Sequence, residues 1–564
     1  MNRKVGFLAR LYVAVFAAIF LAPASRTVAE DQMRELQVQA IAEDRAAWGH
    51  WGLDPKKYTG WKTHSNRLIP IYTFGISLAD VAGEHSPYRD AERIAKLYGR
   101  TPEGTLNPEA DYFDQTDVYS LQKAAFAAGK KYVILMVFDG MDWQTTWAAA
   151  TYRNGQVAYR EGRGTGLAFQ DYRGADTDFG CFVTSPHNEG TTYDANAQRV
   201  LTAGGKIPGG YDWRMAGPNP WTPGLDPAYL ISKAELRKQA YTDSSASATS
   251  MTVGIKTYND AVNVDAQGAQ VATIARELQP QGYSIGVVTS VPISHATPAC
   301  AYSNNVSRDD YQDLTRDLVG LPSIAHPDEP LSGVDVLIGA GWGAEIMIDK
   351  GQGDNFTPGN RYLTADDQKS IDAEHGGKYQ LALRKPGEKG ADVLNAAARR
   401  AIDEKRRLFG YFGVATTAHL PFRTADGGYN PAPGVGVKTE AYQEADIAEN
   451  PTLAEMSTAA LDVLAENPKG FWLMVEAGDV DWANHDDNLD SSIGAVFSGD
   501  NAFRAITEWI EARNCWDQTA LIVTADHGHM LVLDDPEAIA AAGRADRQGN
   551  ENSRKEKQEA AVPE

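Results

Sequence analysis

The chain has 564 residues, of which 43% are hydrophobic and 23% are charged, an ordinary globular composition with enough length to bury one or two large cores. Aspartate and glutamate outnumber lysine and arginine by 75 to 53, which gives a formal net charge of -22. A surface of this charge repels nucleic-acid phosphates, so we do not expect a nucleic acid as a specific partner. Small phosphorylated substrates are not excluded, because bound metal ions can outweigh the overall charge locally.

The first residues have the layout of an export signal. Two basic residues precede an apolar stretch from Val5 to Ala22 that only Arg10 interrupts, and small residues follow at Ala24 and Ala29. We predict a signal peptide over residues 1–29 and a periplasmic or secreted protein. An uncleaved N-terminal anchor is the alternative, although the apolar part after Arg10 is short for a span of about 20 residues. The chain has only three cysteines, so no disulfide framework is expected, and whether two of them pair is left open.

Short apolar runs recur from Lys131 onward, and each ends in a polar cluster, as buried parallel strands do. Helical patterns such as residues 451–466 separate these runs. The predicted fold class is therefore α/β, with a mostly parallel central sheet and helices on both faces. The runs occupy residues 132–138, 284–291, 334–341, 471–476 and 520–525.

The remaining segments are assigned around this predicted catalytic domain, which covers residues 131–535. Residues 30–130 are mixed and polar, and we predict a decorating region of helices and loops. Stretches with weak periodicity at about 154–240 and about 411–450 are interpreted as insertions. Residues 541–564 are charged and rich in glutamine, so a disordered tail is expected.

Carboxylates and imidazoles stand at the ends of three predicted strands. Ligands of open α/β sheets bind beyond the carboxyl ends of the strands, so these side chains should share one neighbourhood. Oxygen and nitrogen ligands without thiolates suit zinc or magnesium. One such residue alone is more often a hydrogen-bonded loop residue, but several together predict a metal centre. They are Asp139, Glu476, Asp481, His485, Asp526, His527 and His529.

A serine and an arginine add the chemistry of phosphate. Ser244 begins a run of small residues at a predicted helix start, where backbone N–H groups favour an anion. On these residues alone, a tight turn or a Ser/Thr-rich linker explains the segment equally well. Thr297 adds a hydroxyl, and Arg308 adds a planar fork that can bind two phosphate oxygens. Combined with the metal ligands, they predict phosphoryl transfer through a covalent intermediate.

From Lys131 to Met530, the order, local sequence and spacing of these motifs resemble the alkaline phosphatase family. The stretch TDSSASAT is similar to the family's serine signature, which implies that Ser244 is the phosphorylated nucleophile and a metal contact. The resemblance implies hydrolysis of phosphate monoesters with two zinc ions and one magnesium ion, and Arg308 falls at the spacing of the phosphate-binding arginine. It implies Asp481 and His485 as ligands of the first zinc, Asp526 and His527 of the second, Thr297 and Glu476 of the magnesium, and Asp139 as the bridge between the second zinc and the magnesium.

Three neighbours of these ligands are also implied by the resemblance. His529 matches a histidine that orients a zinc-bound carboxylate. His295 and Trp482 occupy positions that are Asp and Lys in the enteric bacterial type, so the chain is similar there to members with a His and Trp pair. We expect a different environment for the third metal and the same reaction.

One family feature has no counterpart in the sequence. Family members generally supply a third protein ligand to the first zinc from a histidine well downstream of the segment matched by TADHGH, yet no histidine follows His529 here. His187, in a loop with Pro186, is our candidate substitute, and His419 is a second. A first zinc site without a third protein ligand is the other interpretation.

Alternatives to a phosphomonoesterase stay open. A phosphodiesterase or sulfatase of the same superfamily would keep the metal carboxylates but should lack an arginine at the position of Arg308. A non-catalytic homologue that binds metal or phosphate is the alternative from another class. The natural substrate is not indicated beyond small phosphorylated molecules, and the oligomeric state, a homodimer included, is left open.

Overall fold

The computed structural model describes residues 31–205, 207–231, 239–436 and 440–560. The predicted signal peptide at residues 1–29 lies outside this part of the chain. Within it, no helix is both long enough and apolar enough to cross a membrane.

The strands of the described residues are, in chain order, β1 Gly49–Trp51, β2 His64–Ser65, β3 Ile69–Phe74, β4 Phe113–Asp114, β5 Tyr132–Phe138, β6 Thr177–Val183, β7 Asn188–Glu189, β8 Thr192–Asp194, β9 Arg199–Thr202, β10 Ile207–Pro208, β11 Ser284–Pro292, β12 Val336–Ala340, β13 Glu345–Ile346, β14 Gly359–Asn360, β15 Tyr379–Leu383, β16 Arg407–Tyr411, β17 Phe471–Ala477, β18 Thr519–Thr524, β19 Gly528–His529 and β20 Leu531–Leu533.

The α-helices of the same residues are α1 Gln32–Glu43, α2 Ala91–Tyr98, α3 Asp117–Ala127, α4 Trp143–Asn154, α5 Ala168–Asp171, α6 Trp213–Ala216, α7 Ser244–Val253, α8 Ile274–Leu278, α9 Ala296–Cys300, α10 Tyr311–Val319, α11 Ala365–Ile371, α12 Gly390–Glu404, α13 Glu444–Ala448, α14 Leu453–Leu464, α15 Asp479–His485, α16 Leu489–Ala512 and α17 Pro536–Ala560.

A ten-stranded sheet forms the centre of the described fold, in the order β15-β16-β12-β11-β17-β5-β18-β3-β6-β4. The seven strands from β15 to β18 run parallel to one another, whereas β3 is antiparallel to both of its neighbours. The predicted mostly parallel α/β fold is confirmed. Its middle strands are the apolar runs of the sequence, because a strand covered on both faces has no side for polar residues.

Helices cover both faces of this sheet, and neighbouring residues of β17 show it. The Trp472 indole donates a 2.7 Å hydrogen bond to Gln122 of α3. On the other face, the missing side chain of Gly286 leaves room for Leu473 and for Leu464 of α14. Because successive strand residues point to opposite faces, α3 and α14 lie on opposite sides of the sheet.

The N-terminal region is part of the sheet rather than a decoration of it. Strand β3 pairs with β18 and with β6, and β4 extends the sheet beyond β6. Strand β6 itself falls within the predicted insertion at 154–240. The region at 30–130, which was predicted to be helices and loops around the core, thus contributes β3 and β4 to one edge of the central sheet.

The C-terminal tail is also ordered where the structure describes it. Helix α17 runs from Pro536 to Ala560 and covers most of the segment that was predicted to be a disordered tail. Ala542 is 4% exposed, and the buried Asp546 carboxylate accepts hydrogen bonds from Tyr152 and from the backbone at the start of α1. Packing against α1 and α4 stabilises a segment whose composition alone indicated disorder.

Candidate metal centre and active site

Three adjacent parallel strands bring carboxylates to one edge of the sheet. Strand β5 lies between β17 and β18, and Asp139, Glu476 and Asp526 stand at the carboxyl ends of these strands. The three residues are fully buried. The ring of His527 reaches the same point, with its Nε2 3.3 Å from Asp139 Oδ1 and 3.4 Å from Asp526 Oδ2.

Asp526 is oriented by the backbone around it. Its Oδ1 accepts hydrogen bonds from the N–H groups of Gly140, at 2.9 Å, and His527, at 2.8 Å. Gly140 has a φ of +74°, and a Cβ there would lie 2.9 Å from the Cα of Asp481. Only glycine fits this close approach. The second oxygen of Asp526 has no hydrogen-bond partner and faces the cluster.

Glu476, Asp139 and His295 offer ligand atoms within 4.8 Å of one another. The hydroxyl of Thr297 is 3.5 Å from Asp139 Oδ2. Glu476 Oε2 accepts a hydrogen bond from Thr289 of the neighbouring strand, and Glu476 Oε1 has no partner. Burial, reinforced by the charge of Asp526, raises the pKa of Glu476 to about 8.

A second cluster is centred on Asp481. Its Oδ1 is 2.9 Å from His529 Nε2, 3.4 Å from His485 Nε2 and 3.7 Å from His64 Nε2. Burial opposes ionisation of Asp481, but His485, His529 and His64 outweigh it and hold the pKa of this carboxyl well below its usual range. The position of His529 against Asp481 is the one expected of a histidine that orients a metal-binding carboxylate.

Two of these imidazoles have the tautomer of a metal ligand. His64 Nδ1 is 2.8 Å from the carbonyl oxygen of Thr242, and His485 Nδ1 is 2.7 Å from that of Lys62. A carbonyl only accepts, so each Nδ1 carries the proton and a neutral ring keeps its lone pair on Nε2. The two Nε2 atoms are 3.2 Å apart. Two lone pairs at this distance, beside a carboxylate, repel each other unless a proton or a metal ion lies between them.

His64 reaches the site through the N-terminal part of the chain. Strand β2 pairs antiparallel with β19, so that His64 lies opposite His529. Arg67 fixes this connection, since its guanidinium donates to Asp142 Oδ2 and to the carbonyl oxygens of His529 and Leu531. His64 was not among the residues predicted from the sequence. The one local signal was a histidine shortly before the apolar run that forms β3.

Neither candidate substitute for the missing ligand takes this place. His187 Nδ1 lies 2.8 Å from the side-chain amide of Asn188, and its ring faces Gly99 in a separate cavity that contains none of the metal-binding groups. His419 is fully buried, with its Nε2 3.0 Å from Glu440 Oε1. His64, rather than His187 or His419, therefore lies where a third ligand beside Asp481 and His485 is needed.

Ser244 is the first residue of α7, and its hydroxyl lies 3.1 Å from His527 Nε2. Asp243 caps this helix by accepting a 2.9 Å hydrogen bond from the Ala246 N–H. It also accepts from Ser245 and from Arg308, at 3.0 Å. Burial opposes the charge of Asp243, but Arg308 and the N–H and O–H donors keep its pKa below the usual value. Asp243 thus joins the serine helix to the arginine, a role that sequence analysis missed although an Asp before a helix is a recognisable cap.

His295 and Trp482 lie beside this arginine. The ring centroids of the two residues are 5.7 Å apart in an edge-to-face arrangement. His295 Nε2 is 3.4 Å from a guanidinium nitrogen of Arg308. Burial and the charge of Arg308 lower the pKa of His295 to about 3, so the ring is neutral at physiological pH and can accept from the guanidinium or bind a metal.

One open cavity of about 340 Å³ connects these groups. The nucleophile candidate, the arginine and the ligands around Asp481 all face it. Its lining residues are His64, Ser244, His295, Arg308, Phe422, Glu440, Asp481, Trp482, His485 and Asp486.

The donor set fits metal ions. Asp139 Oδ1, Glu476 Oε1 and Asp526 Oδ2 are buried acceptor atoms without hydrogen-bond partners. Burial raises the pKa of Asp139 well above its usual value, and the charges of Asp526, Asp481 and Glu476 raise it further. Divalent cations relieve such repulsion by binding the unpaired oxygens.

Comparison with known proteins identifies related sequences. The model of the family described as alkaline phosphatase matches residues 227–556, more than half of the chain. This range includes Ser244, Arg308 and the ligands from Glu476 to His529, and it leaves out Asp139 and His64.

Alkaline phosphatase 4 of Bacillus subtilis (strain 168) is 29% identical over 290 residues, which cover 51% of this chain and 49% of that protein. Alkaline phosphatase H of Pseudomonas aeruginosa (strain UCBPP-PA14) is 30% identical over 321 residues, or 55% of this chain and 62% of the relative. The chain thus spans about half the length of the first relative. A cold-active alkaline phosphatase from Shewanella sp. aligns with 71% of this chain and 68% of its own at a TM-score of 0.40 and 22% identity.

Proposed function

The chain belongs to the alkaline phosphatase family, and from this membership we propose that it hydrolyses phosphate monoesters with Ser244 as the group that carries phosphate between two steps. One observation supports this proposal above the others. Ser244, Arg308 and two clusters of buried metal-binding side chains line or adjoin a single cavity.

The proposed chemistry has two displacements at phosphorus. In the first, Ser244 Oγ forms a bond to phosphorus while the bond to the substrate alcohol breaks. In the second, water attacks the phosphoserine, and the bond to Ser244 breaks to release phosphate. The start of helix α7 directs backbone N–H groups toward the transferred group, and Arg308 binds two of its oxygens. Asp243 positions both elements through its contacts with Ala246 and Arg308.

We propose two zinc ions and one magnesium ion as cofactors. His64, Asp481 and His485 would hold the first zinc, Asp139, Ser244, Asp526 and His527 the second, and Asp139, Thr297 and Glu476 the magnesium. When bound, such ions lower the pKa of a hydroxyl or of water and neutralise charge on phosphoryl oxygens. The histidine and carboxylate set around Asp481 suits zinc. Around Glu476, the oxygens of Asp139, Thr297 and Glu476 suit magnesium, and His295 is the one nitrogen donor of that group.

The nucleophile is tested by trapping the intermediate. Labelled inorganic phosphate is incubated with the metal-loaded protein at acid pH, the protein is denatured, and the labelled residue is mapped. We expect the label on Ser244, and no label with Ser244→Ala, whose rate should fall by at least several orders of magnitude because covalent catalysis is lost. A label on another residue would overturn the assignment.

The reaction class is tested with substrates and chelators. Rates on a phosphate monoester, a phosphate diester and a sulfate ester are compared at equal concentration, before and after exhaustive chelation. We expect the monoester to be fastest and chelation to abolish its turnover until zinc and magnesium are returned. A faster diester would identify a phosphodiesterase, and no turnover of any ester would identify a non-catalytic homologue.

We also propose that the protein is exported, on the strength of the basic, apolar and small-residue pattern in residues 1–29. Determining the N-terminus of the mature protein tests this, and cleavage near Ala24 or Ala29 is the expected result. A protein that keeps its original N-terminus would indicate an anchor instead.

A further inference from the structure

The cavity has a second wall, opposite in character to its phosphate-binding end. Beyond Ser244 and Arg308, it is lined by Phe422 and Glu440 from the segment between β16 and α14, and by Trp482 and Asp486 around α15. The proposed function assigns nothing to Phe422, Glu440 or Asp486.

The carboxylate of Glu440 is fixed and ionised. Its Oε1 lies 3.0 Å from His419 Nε2, and the hydroxyl of Tyr442 donates to its Oε2. Burial opposes the charge of Glu440, but His419 and Tyr442 outweigh it and hold the pKa below the usual value. His419 is fully buried and does not line the cavity, so the carboxylate and not the imidazole faces the space.

The aromatic rings of this wall are fixed by the same histidine. Phe422 stacks on His419 with ring centroids 4.3 Å apart, and Trp482 meets His419 edge-on at 4.9 Å. Phe422 is 6% exposed, so its ring cannot turn away from the cavity freely. Rings held in this way lose little conformational entropy when a ligand binds against them.

The wall carries two carboxylates, Glu440 and Asp486, and the imidazole of His419 behind it pairs with Glu440. Asp486 is an exposed carboxylate at the cavity. Burial and the charge of Glu440 raise its pKa, and His485, Lys62 and His419 oppose that rise. Arg308 is the one guanidinium or ammonium group among the described lining residues, and it is engaged by Asp243 at the other end. A leaving group against this wall therefore meets two carboxylates and two aromatic rings.

Carboxylates combined with aromatic faces are the chemistry that binds a cationic nitrogen, including a quaternary ammonium group. We propose that this wall is a leaving-group subsite, and that the enzyme prefers phosphate monoesters of amino alcohols over monoesters whose alcohol is neutral or carries further negative charge. This inference rests on the proposed function, because it names the substrate class of the same site.

The test compares two substrates of equal shape with a third that carries more negative charge. Choline phosphate and 3,3-dimethylbutyl phosphate differ only in having nitrogen or carbon at the branched centre, and propane-1,3-diyl bisphosphate adds negative charge. With the metal-loaded protein, kcat/KM for choline phosphate should exceed that for the neutral isostere by about tenfold, and the bisphosphate should be slowest. Equal values for the first two, or a faster bisphosphate, would overturn the subsite.

Variants locate the preference on the wall. Glu440→Gln and Asp486→Asn should each reduce the ratio of charged to neutral substrate by about threefold or more. Glu444→Gln removes the same charge from an exposed residue four positions further along and should leave the ratio unchanged. Because a ratio is measured on one protein sample, a loss of folded protein cancels, and Asp486→Asn does not touch the His419 contact.

The outcomes separate this inference from the proposed function. Hydrolysis of all three esters with no preference among them would overturn the proposed subsite and support the proposed phosphatase activity. If none of the three esters is hydrolysed, both the subsite and the proposed phosphatase activity are overturned. A preference for choline phosphate that survives both Glu440→Gln and Asp486→Asn places recognition elsewhere and also overturns the proposal.

Discussion

The two halves of the metal centre are built in different ways. Asp139, Glu476 and Asp526 stand at the ends of three adjacent strands in the middle of the sheet. The cluster around Asp481 instead depends on His64, which a two-residue strand brings to His529 from the N-terminal part of the chain. The first half is fixed by the core, whereas the second depends on a segment that must dock.

This difference separates two kinds of failure. Substitutions at the strand ends change ligand chemistry on a scaffold that remains in place. Substitutions in the N-terminal segment weaken the site by loosening one side of it. The following changes are designed to distinguish these outcomes, beginning with the largest expected effect.

Asp526→Asn tests the strand-end half. The amide oxygen can still accept from the N–H groups of Gly140 and His527, while the amide NH₂ takes the place of the unpaired oxygen. Loss of one charged ligand should lower kcat/KM by at least about a thousandfold, since a catalytic metal contributes several kcal/mol. Metal content by elemental analysis and phosphatase rates measure this. Full metal content together with full activity in the Asp526→Asn variant would contradict the ligand assignment.

His64→Ala tests the docked half. Removing a residue that only hydrogen-bonds to a metal ligand lowers metal affinity by about 10- to 100-fold. Loss of a direct ligand should therefore weaken zinc binding at the first site by at least about a hundredfold. Zinc competition with a chromophoric chelator measures the affinity independently of turnover. His187→Ala is the matched control and should bind zinc as the unchanged protein does. Equal weakening by both substitutions would reject the role of His64.

Arg67→Met tests the connection rather than a ligand. The guanidinium is 3.1 Å from Asp142 Oδ2 in a buried pair, and removing one partner of such a pair costs about 3 to 5 kcal/mol. We expect a clear fall in the free energy of unfolding, with zinc affinity lowered by less than about tenfold because every ligand remains. Denaturant unfolding and the same zinc competition give the two values. A loss of affinity as large as in His64→Ala would show that docking, not the imidazole, dominates the site.

The smallest expected effect is a pH dependence that only the metal-free protein shows. Burial and the neighbouring carboxylates raise the pKa of Glu476 to about 8 from an ordinary value of 4.5, so between these values the folded state binds more protons than the unfolded one. Stability of the metal-free protein should then fall as pH rises through this window, by a few kelvin in Tm. Bound metal replaces the protons, so the loaded protein should not show the fall. Parallel profiles for both forms would contradict the metal-centre assignment.

Sequence patterns were sufficient to predict the strands that end at Asp139, Glu476 and Asp526. Apolar runs followed directly by Asp139, Glu476 and Asp526 identify the strands and their ends, because a buried parallel strand admits few polar residues until it leaves the core. The sheet and its helices were predicted on the same ground.

Two segments could not be assigned in this way. Strand β3 contains Pro70, a residue that usually indicates an edge strand or none, and yet it pairs on both sides. The composition of α17 indicates disorder, and only its contacts with α1 and α4 order it. For His64 the decisive contact is with a residue 421 positions away, and no local pattern carries that information.

That separation sets the order in which the site can form during synthesis. His64 leaves the ribosome long before His485, and at about 5 to 20 residues per second the 421 intervening positions take roughly 20 to 80 s to make. During that interval the N-terminal segment has none of its partners in β18, β19 or α17. The Asp481 cluster therefore cannot be completed until the C-terminal part of the chain has been made.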